Sequence, residues 1–401
     1  MQLMCGMPPV GRTGSENLES SESSKKRIGS CGRQLIAIAV IVMVCVLLNF
    51  LSWKSTAFTD IYNEYIFPVI RLPGELLTTI FPFSVGEVLI ALAVILVIIG
   101  IPAAIISAIA IKKHRGRILR FTGLFIAWVL VYIFATETLD CFVLYHTTTA
   151  ADKYFPDAAD GYTTEELTEM CEYLIGEANS LALQVERDEN GTILLPDDLG
   201  KKTAEYTRIR SDRYPQLSGF SPRPKKIMAS KFMSQLDLQG IYFPFTMEMN
   251  YNGDMCPSRV PCTVCHELMH TKGYIREDEA GFLACAVCIE SGDPLFMYSG
   301  FLSAMNYSVN SVFAYINNDE KVRLYTMISD QVRADNKFVT DEYREKLDSV
   351  TLFKTETVSK ASDKAMETSL RMNGVSDGKR SYTRMVDLLL DYYYEDKDNT
   401  P

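Results

Sequence analysis

Three long apolar segments in the first third of the chain constrain its fold more than any other feature. They cover residues 35–51, 88–111 and 121–135. The first carries no charge, and the second is interrupted only by Gly100, Pro102 and Ser107. Since a helix needs about 20 apolar residues to cross a bilayer, the sequence predicts a membrane anchor of three transmembrane helices over residues 33–139. A buried core helix is the alternative for each segment.

Basic residues indicate the side of the membrane on which each loop lies, because loops rich in Lys and Arg stay in the cytoplasm. The loop over residues 54–84 has only two basic residues, Lys54 and Arg71. We therefore expect a multi-pass protein of the cell membrane, with a cytoplasmic N-terminus and residues 140–401 outside the cytoplasm. The basic residues on the cytoplasmic side would be Lys25, Lys26, Arg27, Arg33, Lys112, Lys113, Arg115, Arg117 and Arg120.

The segment before the first apolar run, residues 1–32, is rich in Ser, Gly and Glu. That composition predicts a disordered cytoplasmic tail. A cleavable signal peptide is not expected, because the leader is long and no small-residue cleavage site follows the apolar run.

The charge of the chain is divided unevenly between its two parts. The net charge of the whole chain is −10 at pH 7. Residues 1–136 hold 12 basic and 7 acidic residues, and the remainder holds 28 basic and 43 acidic residues, a net charge of −15. Because a nucleic-acid-binding protein presents a basic face, no nucleic-acid partner is expected.

Residues 140–401 are predicted to form a mostly α-helical domain with a small β-sheet, which gives the chain an α+β fold class. Thr163 and Glu166 form a capping box, and apolar residues recur behind it at helical spacing. Residues 226–233 and 240–249 are predicted to be extended, and Pro244 places the second segment at a sheet edge. Further helices are predicted near residues 198–213, 262–272, 277–290, 301–316, 319–335, 340–349, 354–373 and 382–394, with a C-cap at Asn373-Gly374.

Two of the four histidines of the chain lie in one pentapeptide, His266-Glu267-Leu268-Met269-His270. Residues four apart share one face of a helix, so both imidazoles can bind one zinc ion. Zinc lowers the pKa of a bound water to about 7, and Glu267 stands beside that water as the general base. The alternative is an ordinary helix surface that carries this spacing by chance.

A catalytic zinc site needs a third protein ligand, and an acidic run follows the motif closely. Gly273 can end the first helix and turn the chain back. Glu277, at the start of the next helix, is the first choice for the third ligand, with Glu279 and Asp278 as alternatives. Adjacent helical positions diverge by about 100°, so only one of the three should face the metal. The others are expected to be charges that favour a helix N-terminus.

Four cysteines form two C-x-x-C pairs that could offer a rival, structural zinc site. The pairs are Cys262 with Cys265 and Cys285 with Cys288, and their separation lies in the range of such sites. Both pairs are embedded in apolar helices without a Gly-rich turn. Buried core cysteines, or disulfides between the two helices, are therefore the preferred interpretation.

Three sequence runs resemble one known family: GIYFPFTME from Gly240, HELMHTKGYIREDEAGF from His266, and DGKRSY ending at Tyr382. In these runs the chain is similar to the bacterial membrane-anchored family of unknown function numbered 3810, and the resemblance covers most of the chain. Members are regarded as zincin-like metallopeptidases. The resemblance implies that His266, His270 and a Glu of the EDEA run bind zinc and that Glu267 is the base. It also implies an Asn after that run, where related zincins orient a ligand histidine; this chain has Gly281 instead.

The sequence therefore favours a membrane-anchored zinc peptidase of the HExxH type that hydrolyses peptide bonds outside the cytoplasmic membrane. Water activated by Zn²⁺ would attack the carbonyl of a peptide or protein substrate, and Glu267 would take its proton. In zincins an extended substrate adds to a sheet edge beside the active-site helix, and residues 240–249 are the candidate edge. Four residues are candidates for assisting the transition state: Tyr298, Tyr307, Arg380 and Tyr382.

Two other functions are compatible with parts of the sequence. A catalytically silent zincin-fold module, anchored in the lipid bilayer for binding or sensing, is the alternative, and Gly281 is the reason to consider it. An intramembrane protease is disfavoured, because Lys272, Arg276 and Glu277 place charges around the motif.

Overall fold

The computed structural model describes residues 30–158, 161–351, 355–372 and 381–399. Within this part of the chain, three helices are long and apolar enough to cross a membrane: Cys31–Ser52, Val85–Ala110 and Lys112–His146. Few of their residues are buried inside the protein. These helices confirm the three predicted apolar segments and suggest a membrane protein. The predicted tail over residues 1–32 lies almost wholly outside the described residues.

The apolar region contains six α-helices with short π-helical and 3-10 turns between them. The predicted loop over residues 54–84 is helical, because Ser55 caps the first of its two helices and Pro68 lies in the first turn of the second. The α-helices are α1 (Ser30–Ser52), α2 (Thr56–Ile61), α3 (Phe67–Thr79), α4 (Val85–Ile95), α5 (Ile101–Ala110) and α6 (Arg115–Glu137). The π-helical turns are Tyr62–Ile66, Leu96–Gly100 and Thr138–Phe142, and the 3-10 turns are Lys112–His114 and Leu144–His146.

The rest of the described chain is mostly helical, as predicted. The capping box of Thr163 and Glu166 is present at the start of its longest early helix. The α-helices are α7 (Ala150–Tyr154), α8 (Thr164–Ala182), α9 (Leu199–Ile209), α10 (Ser230–Gln235), α11 (Val260–Thr271), α12 (Glu277–Ile289), α13 (Pro294–Val312), α14 (Asn318–Met327), α15 (Asp330–Asp335), α16 (Asp341–Val350), α17 (Thr355–Met372) and α18 (Ser381–Asn399). The predicted C-cap at Asn373-Gly374 lies outside the described residues.

The core of this region forms where α8, α11, α12, α13 and α18 pack together. Helix α12 lies at its centre and is buried on nearly all sides, with Phe282 and Leu283 fully inaccessible. A helix that is apolar all round must be buried, which explains why this segment lacks an amphipathic pattern. Helix α11 packs against α12 on one side and against the sheet on the other. The motif helix is thereby fixed between the core and the sheet.

The small sheet has three strands: β1 (Lys225–Lys226), β2 (Gly240–Phe243) and β3 (Glu248–Tyr251). Their order is β1-β3-β2, so β2 lies at an edge, as predicted. Strand β3 pairs parallel with β1 and antiparallel with β2, with Gly240 opposite Tyr251.

Two predictions for this sheet were wrong in detail. Residues 226–233 are not one extended segment, because α10 begins at Ser230. Residues 240–249 are a hairpin and not one strand. Pro244 lies at the second position of a turn closed by the Thr246 amide, which donates to the Phe243 carbonyl at 3.1 Å. The fixed φ of proline favours that position of a turn and ends β2 before it.

The hairpin joins the sheet to the apolar helices. The Glu248 carboxylate accepts hydrogen bonds from the Val85 and Gly86 amides at 2.9 and 2.7 Å, so it caps the start of α4. Glu248 also pairs with Lys225, and both side chains are buried. At the hairpin tip, the Tyr132 hydroxyl of α6 donates to the Phe245 carbonyl at 3.1 Å. The sheet is therefore bonded directly to two of the three long apolar helices.

Candidate metal centre

The motif helix α11 ends in a Schellman turn, which shapes the site. The Gly273 amide donates to the His270 carbonyl and the Tyr274 amide donates to the Met269 carbonyl, each at 3.1 Å. Gly273 has φ = 96°, and a Cβ there would lie 2.1 Å from Asn63 Oδ1. Only glycine meets both conditions. The turn brings the chain back beside the helix and leads directly into α12.

The same turn orients His270. Its Nδ1 donates to the Tyr274 carbonyl at 2.8 Å, and a carbonyl can only accept, so Nδ1 carries the proton. The lone pair of Nε2 then faces the cavity. Fixing a ligand histidine through its other ring nitrogen is the usual arrangement in metal sites.

Three side chains converge at the junction of α11 and α12. Glu277 Oε2 lies 3.2 Å from His266 Nε2, and Glu277 Oε1 lies 3.8 Å from His270 Nε2. The three ligand atoms all lie within 4.8 Å of one another. Within the described residues, this is the single group of three or more His, Cys, Asp or Glu side chains close enough to hold a metal ion.

The structure separates Glu277 from the two acidic residues that follow it. Asp278 accepts a hydrogen bond from Arg384 Nε at 2.6 Å. Glu279 accepts from the Ala150 amide at 3.0 Å and pairs with Arg276 at 2.5 Å. Of the three predicted candidates for the third ligand, the structure brings only Glu277 to the histidines.

Glu267 lies on the side of α11 that faces the edge strand. It is 5% exposed, and its carboxylate rests against Gly240, where a Cβ would lie 2.4 Å from Glu267 Oε1. Burial raises the pKa of Glu267 to about 8, with a further increase from Glu277, against the charge of His266 and the amide of Tyr242. A carboxylate with a raised pKa is a stronger base than an exposed one.

The three candidate ligands also have shifted pKa values. Burial lowers the pKa of His270 to about 4. Burial alone would lower the pKa of His266 and raise that of Glu277. The hydrogen bond between the two side chains and their opposite charges outweigh burial, so the pKa of His266 rises to about 9 and that of Glu277 falls to about 2. The pKa values of Glu267 and Glu277, two carboxylates in the same site, are thus shifted in opposite directions. Such a difference is typical of sites in which carboxylates have distinct acid, base and ligand roles.

A cavity of about 690 Å³ opens over these residues. One wall is formed by residues of β2, including Gly240, Ile241 and Tyr242. Another wall comes from the C-terminal end of the third apolar helix: Glu137, Cys141, Phe142 and Tyr145. Polar side chains that include Arg259, Asn306 and Tyr307 also line the cavity. The wall from the apolar helix was not predicted; its signal in the sequence is the four-residue spacing of Glu137, Cys141 and Tyr145.

The four residues predicted to assist the transition state differ in where they lie. Tyr307 lines the cavity. Tyr298 is buried in the core and donates to Asp335 at 2.9 Å, so it does not reach the site. Arg380 and the side chain of Tyr382 lie outside the part of the chain that the structure describes.

The four cysteines of the two C-x-x-C pairs are buried between α11 and α12 as free thiols. Cys262 Sγ lies 3.9 Å from Cys285 Sγ, and Cys265 Sγ lies 3.5 Å from Cys288 Sγ. They are absent from the metal-ligand groups found among the described residues. This arrangement agrees with the interpretation as core cysteines.

Gly281 lies beside the second ring nitrogen of His266. A Cβ at Gly281 would be 3.9 Å from His266 Nδ1 and 2.8 Å from Met385 Sδ. Met385 comes from α18 and is fully buried. The space that a larger side chain at position 281 would need is therefore filled by a thioether.

Comparison with known families gives one match. The family model described as "Protein of unknown function (DUF3810)" matches residues 62–390. The matched part includes the second and third apolar helices, the sheet, and His266, His270 and Glu277, and it begins after the first apolar helix. No curated protein and no solved structure matches the chain.

Proposed function

This chain belongs to the DUF3810 family of proteins of unknown function, and from its site we propose that it is a membrane-anchored zinc peptidase of the zincin type. The observation that carries the proposal is the convergence of His266, His270 and Glu277 within 4.8 Å. Two imidazoles and one carboxylate are a ligand set of catalytic zinc sites, which keep a further position open. Glu267 faces the same cavity from the next position on α11.

The donor chemistry fits zinc. His270 offers Nε2, because its Nδ1 is bonded to the Tyr274 carbonyl. His266 and Glu277 would supply Nε2 and one carboxylate oxygen. When bound, zinc would act as a Lewis acid on the substrate carbonyl and would make a water molecule more acidic.

Glu267 performs the proton transfers in this proposal. Its carboxylate accepts the proton of the attacking water and passes it to the amine that leaves when the peptide bond breaks. Gly240 and the Tyr242 amide hold that carboxylate in place. Because it is buried against backbone, Glu267 has little freedom to turn away from the cavity.

The substrate would bind as an extended chain along β2. This strand is an edge of the sheet, and three of its four residues line the cavity. A peptide that adds to a sheet edge gains main-chain hydrogen bonds and needs pockets only for alternate side chains.

We place the site outside the cytoplasmic membrane. Basic residues lie in the first turns of the third apolar helix, where the chain arrives from the second, and the positive-inside rule puts them in the cytoplasm. The opposite ends of the three helices lie together on the side of the sheet. Asn49 donates to Thr138 Oγ1 at 3.0 Å there, and Glu248 caps α4.

The test uses the full-length protein in lipid nanodiscs, with metal content measured by mass spectrometry and cleavage followed on a peptide library. We expect one zinc per chain and cleavage that falls at least roughly 100-fold in Glu267→Gln while zinc stays bound. His266→Ala should lose both. Cleavage that persists unchanged in either variant would refute the assignment.

The second candidate function is a silent binding or sensory module, which Gly281 and Met385 favour because no polar side chain from position 281 supports His266. Loss of such support costs roughly 10–100-fold in metal affinity or activity. Stoichiometric zinc without cleavage of any library peptide would establish this module instead of the peptidase.

A further inference from the structure

The wall that the third apolar helix contributes to the cavity defines which substrates can reach the site. Glu137, Cys141 and Tyr145 are spaced by four residues, and all three line the cavity. The apolar run of that helix ends at about residue 135. The cavity therefore starts where the helix would leave the hydrocarbon layer of a bilayer.

The metal-ligand group is bonded to this end of the helix. Arg276, next to Glu277, donates to the Tyr145 carbonyl at 2.9 Å and to the Thr147 carbonyl at 2.5 Å. Ala150, a few residues further on, donates to Glu279 at 3.0 Å. These bonds fix the distance, measured along the third apolar helix, between the end of its apolar run and the start of α12; this distance is called the height of the site.

That height is small. Helical rise over the eight residues from Glu137 to Tyr145 is about 12 Å, which about four residues of extended peptide would span. The hairpin next to the cavity reaches lower still, because its Phe245 carbonyl bonds to Tyr132, inside the apolar run. A cleft at this level would lie close to the bilayer surface.

The two ends of the cavity differ in chemistry. The end at the apolar helix presents the rings of Phe142 and Tyr145 beside Glu137 and Cys141, and it lies past the C-terminal end of α11, where Arg276 bonds to Tyr145. Arg259 directly precedes the N-terminal end of α11 and lines the cavity with Asn306 and Tyr307. A chain that enters beside the membrane helix and leaves past the polar end would run through the site along β2.

We infer that the substrate is a membrane-anchored polypeptide, cut in the segment that has just left the bilayer, within a few residues of its own transmembrane helix. This inference rests on the proposed peptidase function. It deepens that function by naming the substrate class: a peptide carrying a membrane span, as opposed to a free soluble peptide.

The test places a library of cleavage segments between a transmembrane helix and a soluble reporter, with polar spacers of 4, 12 and 40 residues before the segment. The full-length protein and the reporters are reconstituted in the same vesicles with zinc. We expect the fastest cleavage with the 4-residue spacer and roughly 30-fold slower cleavage with 40 residues, because effective concentration falls with the −3/2 power of length. A rate that is flat or rises with spacer length would overturn the inference.

A second readout does not depend on turnover. A photo-reactive amino acid is placed at Phe142, at Tyr307 or at exposed Leu183 in the Glu267→Gln chain. The residues of the reporter next to its membrane helix should cross-link to position 142, and those beyond the cleavage segment to position 307, with Leu183 as the negative control. Equal labelling of positions 142 and 183 would overturn the inference.

The two proposals can fail separately. Cross-linking at position 142 without cleavage of any reporter by the unmodified protein would refute the peptidase and uphold a membrane-anchored ligand. Efficient cleavage of soluble library peptides with no preference for the anchored ones would uphold the peptidase and refute the substrate class.

Discussion

The carboxylate of Glu267 and the backbone of Gly240 are in direct contact, so that a methyl group on Gly240 would stand 2.4 Å from Glu267 Oε1. Gly240 is the first residue of the edge strand, and Glu267 is the proposed base. The side chain that moves protons and the strand that would hold the substrate are therefore fixed against each other. Gly240, the first residue of the run GIYFPFTME, therefore has a steric role: it leaves space for the Glu267 carboxylate.

Replacing Gly240 with Ala should push the Glu267 carboxylate out of position. We expect peptide cleavage to fall roughly 100-fold, the contribution of a positioned base, while zinc content stays the same. Gly176→Ala is the matched control, since a Cβ there meets nothing within 4 Å in the middle of α8. Cleavage in Gly240→Ala at the level of Gly176→Ala would contradict the contact.

Glu277 and Glu279 should differ in their effect on zinc. Glu277→Gln removes a ligand charge, so zinc affinity should fall by more than the roughly 10–100-fold that a supporting hydrogen bond contributes. Glu279→Gln should keep zinc but lower the free energy of unfolding by about 3 kcal/mol, because Arg276 loses a buried partner. Competition with a zinc chelator and thermal unfolding measure the two effects. Equal zinc loss in both variants would contradict the assignment of Glu277 as the third ligand.

The contact between Gly281 and Met385 should appear as strong coupling between two substitutions. Gly281→Ala alone overpacks the site and should cost about 1–3 kcal/mol, and Met385→Ala alone should cost about 2–5 kcal/mol. In the double variant the alanine methyl occupies space that the methionine vacated, so the combined loss should be smaller than the sum. Thermal unfolding of the four proteins gives the coupling energy; simple additivity would show that the two side chains do not compete for space.

The proposed topology predicts which engineered cysteines react in intact cells. Leu183 is 83% exposed on the helical region, and Lys113 lies in the 3-10 turn Lys112–His114 at the start of the third apolar helix. A membrane-impermeant maleimide should label Leu183→Cys in intact cells and Lys113→Cys only after permeabilisation, each compared with the unmodified chain. The reverse pattern would invert the orientation.

The sequence predicted those parts of the protein that depend on local pattern. Helix α11 was expected at 262–272 and runs from Val260 to Thr271. The prediction is close because the signals used, the apolar spacing and the following Gly273, lie within or next to the helix itself. Helix α13 was expected to begin at residue 301 but begins at Pro294, since Asp293 caps its first turn through the Leu295 and Phe296 amides. That Asp-Pro pair is a start signal of the kind that sequence can show.

The contacts between distant segments could not be predicted in this way. Glu248 caps α4 across 163 residues of sequence, and Arg276 bonds to Tyr145 across 131. Nothing in the local pattern around Glu248 or Arg276 indicates a partner so far away. The choice of Glu277 over Glu279 depends likewise on Ala150, which takes the second carboxylate away from the histidines.

The cap that Glu248 provides for α4 has a consequence for biosynthesis. At 5–20 residues per second, the ribosome needs roughly 8–33 s to progress from Val85 to Glu248. During that interval the second apolar helix has only the Ser84 hydroxyl, which accepts from the Glu87 amide, at its beginning. The first two amides of α4 acquire their acceptor only once the hairpin has been made and has folded back. The hydrogen bonds at the start of the second apolar helix are thus completed by a residue synthesised long after that helix. The anchor reaches its final structure only when the sheet has formed.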